Sequence, residues 1–292
     1  MTRVLITGSE GFIGKKAVER FRNDGHDVST LDVLGSGHQH FQVDLACGDL
    51  KKIFEACRPE LVIHTAAQTD VSRSFDDPRR DFESNVLGTI NLLLASRKVE
   101  SFIYLHSGGA VYDSSANLPL TENSVECPVS PYGASKRAAE DLVRIICERH
   151  SISWTSLALS NVYGSVRENP KGVIYQFWRN LTSNQACEIN GPDVTRDFVY
   201  VEDVVEAIVL ASSAKLNTRL NISSGKEISL IELYSLICEE MGKENKPILL
   251  EERKGDVTRS CLSNARAKSL MNWTPKTSLT QGLNMSLWPE SR

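Results

Sequence analysis

Tyr132 and Lys136, in the stretch YGASK, stand at i and i+4 in a segment patterned as helix, so they share one helix face. An ammonium held beside a phenol favours the phenolate. Bringing a tyrosine from about 10 to about 7 takes roughly 4 kcal/mol, and would make Tyr132 a proton acceptor at neutral pH. Taken alone, the pair reads as an ordinary solvated helix face, so the chemistry needs support elsewhere. TGSEGFIG (7–14) supplies it. Gly8, Gly11 and Gly14 follow an apolar strand pattern and open a helical one. Such a turn leaves no side chain between backbone and a pyrophosphate, and the helix N-terminus offers N–H groups and partial positive charge. Asp32 closes the next strand pattern, where a carboxylate bonds a ribose 2′-hydroxyl and repels a 2′-phosphate. Val33, Leu34 and Gly35 follow, with no arginine to hold a phosphate, so the pattern favours NAD over NADP.

The elements that must position these residues alternate. Strand patterns at 3–7, 28–32, 61–65, 102–106 and 152–159 are separated by helical patterns at 12–23, 49–57, 78–97 and 132–149. That rhythm predicts a doubly wound α/β fold with a parallel sheet covered on both faces. After Asn161 it breaks. A helix is expected over 172–181, a short strand and then a helix from Glu202 within 196–211, and a strand ending in a turn over 220–225. Ser229 with Glu232 announces a capped helix to Met241, and one short helix follows near 264–271. The expected division is a dinucleotide-binding domain at 1–160, to which 197–214 returns, and a smaller mixed α/β lobe from 161–196 and 215–292. No linker separates the two, so they should share a cleft.

Composition excludes several alternatives. With 292 residues, 41% hydrophobic and 24% charged, the chain can bury a substantial core. A net charge of −4 and a pI near 5.9 argue against a protein that coats nucleic acid. No apolar run approaches the roughly 18 residues of a membrane span, and the one near the N-terminus is too short for a secretory signal. Cysteines at 47, 57, 127, 147, 187, 238 and 261 form no C-x-x-C pair, as reduced thiols in a cytoplasmic protein would. Asn180-Leu-Thr and Asn272-Trp-Thr are then chance matches to the glycosylation pattern. Cys127 reads as a plain buried thiol, and His64 and His106, in strands, as satisfied structural histidines. No cluster has metal-ligand spacing, so no metal is expected.

Jointly, TGSEGFIG, VDL (43–45), HTAA (64–67), NVLGTINLL (85–93), HSGGAVY (106–112), SPYGASK (130–136), RDFVYVEDV (196–204) and GDVTRS (255–260) resemble the extended short-chain dehydrogenases/reductases of the nucleotide-sugar epimerase and dehydratase type. The resemblance covers essentially the whole chain and implies a Rossmann-type sheet with a C-terminal substrate lobe. It also implies roles. Gly8, Gly11 and Gly14 would hold the pyrophosphate, with Phe12 and Ile13 in the same turn, and Asp32 the adenosine ribose. Asp44 and Leu45 would flank the adenine, and Ala66 and Ala67 line the groove. Tyr132 would be the acid/base, Ser107 its hydroxyl partner, and Lys136 the contact to the nicotinamide ribose. Asn161 would touch the substrate phosphate, and Arg196 and Arg259 its diphosphate, which suits a planar guanidinium fork. A homodimer would pair the 78–97 and 132–149 helices.

The shared reaction implied is transient oxidation of a sugar hydroxyl. Dehydratases of this type carry an Asp-Glu pair just after the catalytic hydroxyl, where this chain has Gly108-Gly109-Ala110. That favours an epimerase acting through a 4-keto-sugar, with a UDP-linked hexose as the expected substrate. A keto-sugar reductase, or a dehydratase drawing acids from elsewhere, stays open, with Glu122 and Glu126 as nearby carboxylates of the kind that loops usually leave solvated. A non-catalytic NAD-binding scaffold fits less well, since such relatives tend to lose the tyrosine or lysine.

Overall fold

The computed structural model describes residues 1–113, 115–170, 172–243, 246–251 and 257–288. The first half runs β1 (Arg3–Thr7), α1 (Phe12–Asn23), β2 (Asp27–Asp32), β3 (His40–Gln42), α2 (Leu50–Cys57) and β4 (Leu61–His64). There follow α3 (Val71–Asp76), α4 (Pro78–Phe82), a π-helical turn (Glu83–Leu87), α5 (Gly88–Ala95), β5 (Ser101–Ser107), α6 (Gly108–Val111), α7 (Pro131–Arg149) and β6 (Ser153–Leu159). The second half adds β7 (Asn161–Tyr163), α8 (Val173–Thr182), β8 (Glu188–Asn190), β9 (Thr195–Tyr200), α9 (Val201–Ala214) and β10 (Thr218–Ile222). It ends with β11 (Glu227–Ser229), α10 (Leu230–Met241), β12 (Ile248–Leu250), α11 (Ala265–Met271) and α12 (Leu279–Leu287).

Seven strands form one sheet in the order β10-β6-β5-β4-β1-β2-β3, and every neighbouring pair is parallel. Strands such as LVIH are buried along their whole length because helices cover both faces. On one face Phe21 of α1 and Ala207 and Ile208 of α9 pack with Trp273. On the other, Leu92 and Leu93 of α5 pack with Val143 and Cys147 of α7. A separate core joins Phe177 of α8, Leu233 of α10 and Leu283 of α12 beside the small β11-β9-β7 sheet.

The differences from the sequence reading have physical causes. The helix expected over 78–97 is cut by the π-turn, which turns the buried, polar Asn85 inward. β10, expected in the second lobe, is the edge strand of the large sheet, with Leu220 opposite Leu157. Periodicity within one strand carries no information about which sheet it joins. α12 goes unread because Gly282 weakens its helical pattern. The glycine is required there, since a Cβ would lie 2.0 Å from the Tyr163 hydroxyl. The expected cap at Ser229 is a complete capping box with Glu232.

Candidate active site

The turn after β1 is built by exclusion of side chains. Gly8 has φ +70°, and a Cβ on it would stand 2.5 Å from the Ala66 nitrogen. On Gly14 it would stand 2.0 Å from the Gly8 carbonyl oxygen. Gly11 donates to that same carbonyl at 3.0 Å. The Phe12 ring reaches across to Gly164, where a Cβ would be 2.9 Å from its Cζ, and Ile13 packs on the first core. Asp32 accepts from the Glu10 N–H at 2.9 Å and the Leu34 N–H at 3.1 Å, so its carboxylate is held at the mouth of the turn. Ala66 and Ala67 follow β4 beside Gly8. Asp44 accepts from the Ala46 N–H at 2.9 Å and pairs with Arg80 at 3.2 Å. Leu45 is buried, and its carbonyl accepts from Asn91 at 2.9 Å. A side-chain-free cradle at the N-terminus of α1, with a carboxylate beside it, fits a dinucleotide diphosphate and its ribose.

Tyr132 enters the cleft from the first turn of α7. Pro131 starts that helix, and Ser130 caps it by accepting from the Gly133 N–H at 3.1 Å. Gly133 permits close approach, since a Cβ there would be 2.2 Å from the Ala110 carbonyl oxygen. Ser107, the last residue of β5, shares a side-chain hydrogen bond with Tyr132. Lys136 lies one turn on, but its Nζ donates to the Leu105 carbonyl at 2.7 Å and stands 4.2 Å over the Tyr104 ring. The expected shift of the phenol therefore runs the other way. Burial pushes Tyr132 up to about 12, with the Ser107 bond pulling down and the Asp81 charge pushing up. Burial likewise brings Lys136 down to about 7 against the raising charges of Glu140 and Asp81.

Behind the pair lies an ion cluster that pattern reading missed. Arg219 of β10 grips Glu140 of α7 with two nitrogens, 2.8 Å from Nε, and reaches Glu126 with its third. Glu126 also pairs with Arg137 at 2.9 Å. Burial opposes the Glu140 charge, yet its pKa is held at about 2. His106, 3.6 Å away, is itself pushed to about 3 by burial and is neutral at pH 7, so Arg219 is the standing charge responsible. Glu122 is likewise no solvated loop acid. It accepts from the Asn221 N–H at 2.9 Å, lies 3.6 Å from Arg266, and its side chain is 4% exposed. Cys127 is exposed rather than buried. Only the spacing of Glu140, one turn after Lys136, was available in the sequence to signal this cluster.

His64 is satisfied, as expected: Nδ1 lies 2.7 Å from Thr7 Oγ1 and Nε2 2.9 Å from Thr89 Oγ1. His106 departs from expectation, since among the described residues neither ring nitrogen has a hydrogen-bond partner. Burial brings His64 also to about 3. For both, the folded pKa lies below the unfolded value of 6.5, so their stability is full above 6.5 and is lost as pH falls toward 3. Two extra protons on the unfolded chain imply a slope of about 2.7 kcal/mol per pH unit near pH 5. Urea midpoints between pH 7 and 4 should follow it, and His64→Gln should reduce the slope by about half. A flat profile would show that neither histidine is held neutral.

On the facing side, Asn161 starts β7 and donates to the Asp197 carbonyl at 3.2 Å. It borders a cavity of about 120 Å³ with Gly164, Gly172, Ile174 and Phe198 at the N-terminus of α8. Arg196 donates to the Thr195 and Val257 carbonyls at 2.8 and 2.6 Å. Arg259 pairs with Glu227, and the Thr195 N–H donates to the Thr258 carbonyl at 3.0 Å, which sets the segment carrying Arg259 beside β9, the strand of Arg196. Gly255 and Asp256 of the GDVTRS motif lie outside the described residues. Among the described residues no group of three or more His, Cys, Asp or Glu could hold a metal ion.

A parallel sheet with this glycine cradle, and Ser107 at the end of β5 facing Tyr132 and Lys136 of α7, is the architecture of a dinucleotide-dependent enzyme. The model of the NAD dependent epimerase/dehydratase family matches residues 4–223, and the chain belongs to that family. It is 38% identical to a putative UDP-glucose 4-epimerase of Methanocaldococcus jannaschii, over 96% of this chain and 95% of that one. The UDP-glucose 4-epimerase of Thermotoga maritima, solved with UDP-glucose, superposes with a TM-score of 0.93 at 33% identity and covers 97% of both chains. The UDP-glucose 4-epimerase of Thermus thermophilus, solved with NAD, gives 0.89 at 32% identity over 99% of this chain and 100% of that one.

Proposed function

We propose that the protein is an NAD-dependent nucleotide-sugar 4-epimerase acting on a UDP-hexose. One observation carries the choice over a dehydratase. No carboxylic acid stands after Ser107, where Gly108 and Gly109 lead α6, and the two nearby acids are engaged, Glu126 by Arg137 and Arg219 and Glu122 by Asn221 and Arg266. A 4-keto-sugar formed beside Ser107 would then lack, among the described residues, the acid that a dehydratase places there to expel the 6-hydroxyl.

The nicotinamide, when bound, supplies the reversible two-electron exchange at the sugar C4. Burial pushes the Tyr132 phenol up to about 12. Tyr132 can therefore take the proton of the 4-hydroxyl only once its phenolate is stabilised, by the Lys136 ammonium and by the positive charge that the oxidised cofactor would bring. It then returns the proton, Ser107 fixes the direction of the phenol, and Lys136 would hold the ribose. Gly8, Gly11 and Gly14 with Phe12 and Ile13 would seat the diphosphate of the cofactor, Asp32 its ribose, and Asp44, Leu45, Ala66 and Ala67 the adenine side. Asn161, Arg196 and Arg259 would receive the diphosphate of the sugar nucleotide. The Arg259–Glu227 pair is exposed, contributes little, and is easily exchanged for a phosphate. Exposed Leu94 of α5 and Ile145 of α7 support a homodimer through these helices. Among the described residues no helix is long and apolar enough to cross a membrane, which supports the cytoplasmic reading.

Incubating the purified protein with UDP-glucose, UDP-galactose and their N-acetyl forms, without added NAD, should give the C4 epimers by NMR. A deoxy-keto product or a stoichiometric demand for NADH would overturn the assignment.

A further inference from the structure

Asp81 of α4 is 1% exposed and, among the described residues, pairs with no lysine or arginine. Three donors converge on it. Ser135 Oγ lies 2.5 Å from Oδ2, and Gln68 Nε2 and Asn85 Nδ2 lie 2.8 and 3.3 Å from Oδ1. Ser135 Oγ also lies 2.9 Å from the Tyr132 carbonyl and 3.0 Å from Asn85 Nδ2. The carboxylate is therefore tied to the turn of α7 that carries both Tyr132 and Lys136, and Asn85 enters the network because the π-turn turns it inward. A carboxyl buried in such a place is not explained by stability, since an apolar residue would avoid its desolvation.

We propose that Asp81 is a positioning residue, fixing the first turn of α7 through Ser135 and supplying, beside Glu140, negative charge that keeps Lys136 an ammonium. The other buried acid at Lys136, Glu140, raises it in the same sense but is itself gripped by Arg219. The remaining groups around the pair are Tyr104 and His106 on β5, His64 on β4 and Arg219 on β10. Both histidines are neutral at pH 7, and burial keeps Tyr104 un-ionised. That leaves Asp81 as the acid acting on Lys136 that pairs, among the described residues, with no lysine or arginine. Its field acts on both groups in the same sense, raising the phenol and the ammonium together.

The inference rests on the roles proposed for Tyr132 and Lys136, and its test separates the two. Asp81→Asn keeps the shape and two of the hydrogen bonds but removes the charge. Ser135→Ala keeps the charge but removes the tether. The phenol of Tyr132 is titrated by ultraviolet difference against Tyr132→Phe, in the protein as purified and without sugar, so the readout needs no turnover. D81N should move that titration about one pH unit downward. Both limbs of the pH–kcat/KM profile should shift with it, because the lysine also loses its proton earlier. S135A should lower kcat without moving the titration. An unmoved phenol in D81N overturns the inference, and so does an equal shift in S135A, which stands as a test even if D81N does not fold. Failure to epimerise any UDP-hexose would defeat the functional assignment while leaving the titration result readable.

Discussion

Tyr132→Phe should lower kcat for UDP-galactose by about a thousandfold, within the range expected when a positioned proton donor and acceptor is removed. The phenol is buried, shares its hydrogen bond with Ser107, and stands at the head of a well-capped helix, so deleting one oxygen leaves the packing of α7 intact. The bound dinucleotide and the melting temperature should change little. The loss belongs in kcat and kcat/KM alike, because the proton moves only in the transition state. Ser107→Ala should cost less than Y132F, since it only frees the direction of the phenol. Initial rates for the two variants decide the matter. A loss below tenfold in Y132F would mean that another group carries the proton, and no other titratable side chain in the cleft shares a hydrogen bond with Ser107 among the described residues.

The chemistry was legible where it follows from local geometry. The i, i+4 spacing of Tyr132 and Lys136 fixes a shared helix face, and the glycine spacing after β1 fixes a turn that admits no Cβ at Gly8 or Gly14. What failed depended on burial, which no local pattern reports. The phenol was expected to be lowered by its lysine. In the folded chain desolvation dominates, and the ammonium turns to the Leu105 carbonyl instead. Glu122 and Glu126 looked like solvated loop acids until β10 joined the large sheet and Arg219 reached Glu126, and Asn221 Glu122. The role of Asp81 needed the π-turn, which has no sequence signature at this length. The small β7, β8, β11 and β12 strands, three residues each, are too short for an alternation to register.

Arg219→Met should destabilise the protein by about 3–5 kcal/mol, because it leaves a buried carboxylate without its counter-charge. The Glu140 side chain is 7% exposed and that of Glu126 is 18% exposed, so water cannot replace the guanidinium at either. For a chain of this size that is a fall in melting temperature on the order of 10 °C. Removing both buried partners is different. Glu140→Leu combined with R219M deletes the orphaned charge, leaves Glu126 with Arg137, and should recover most of the loss. Thermal melts of the single and double variants measure the coupling directly. Activity should not recover with stability. Stripped of Arg219, Glu140 is driven by burial toward its protonated form, and in the double variant it is gone. Either way Lys136, held near 7 partly by that acid, loses support for its charge. The stable double variant should therefore turn over more slowly than the wild type at pH 8 and approach it as the pH falls to 6. Equal pH profiles would show that the cluster serves the fold alone.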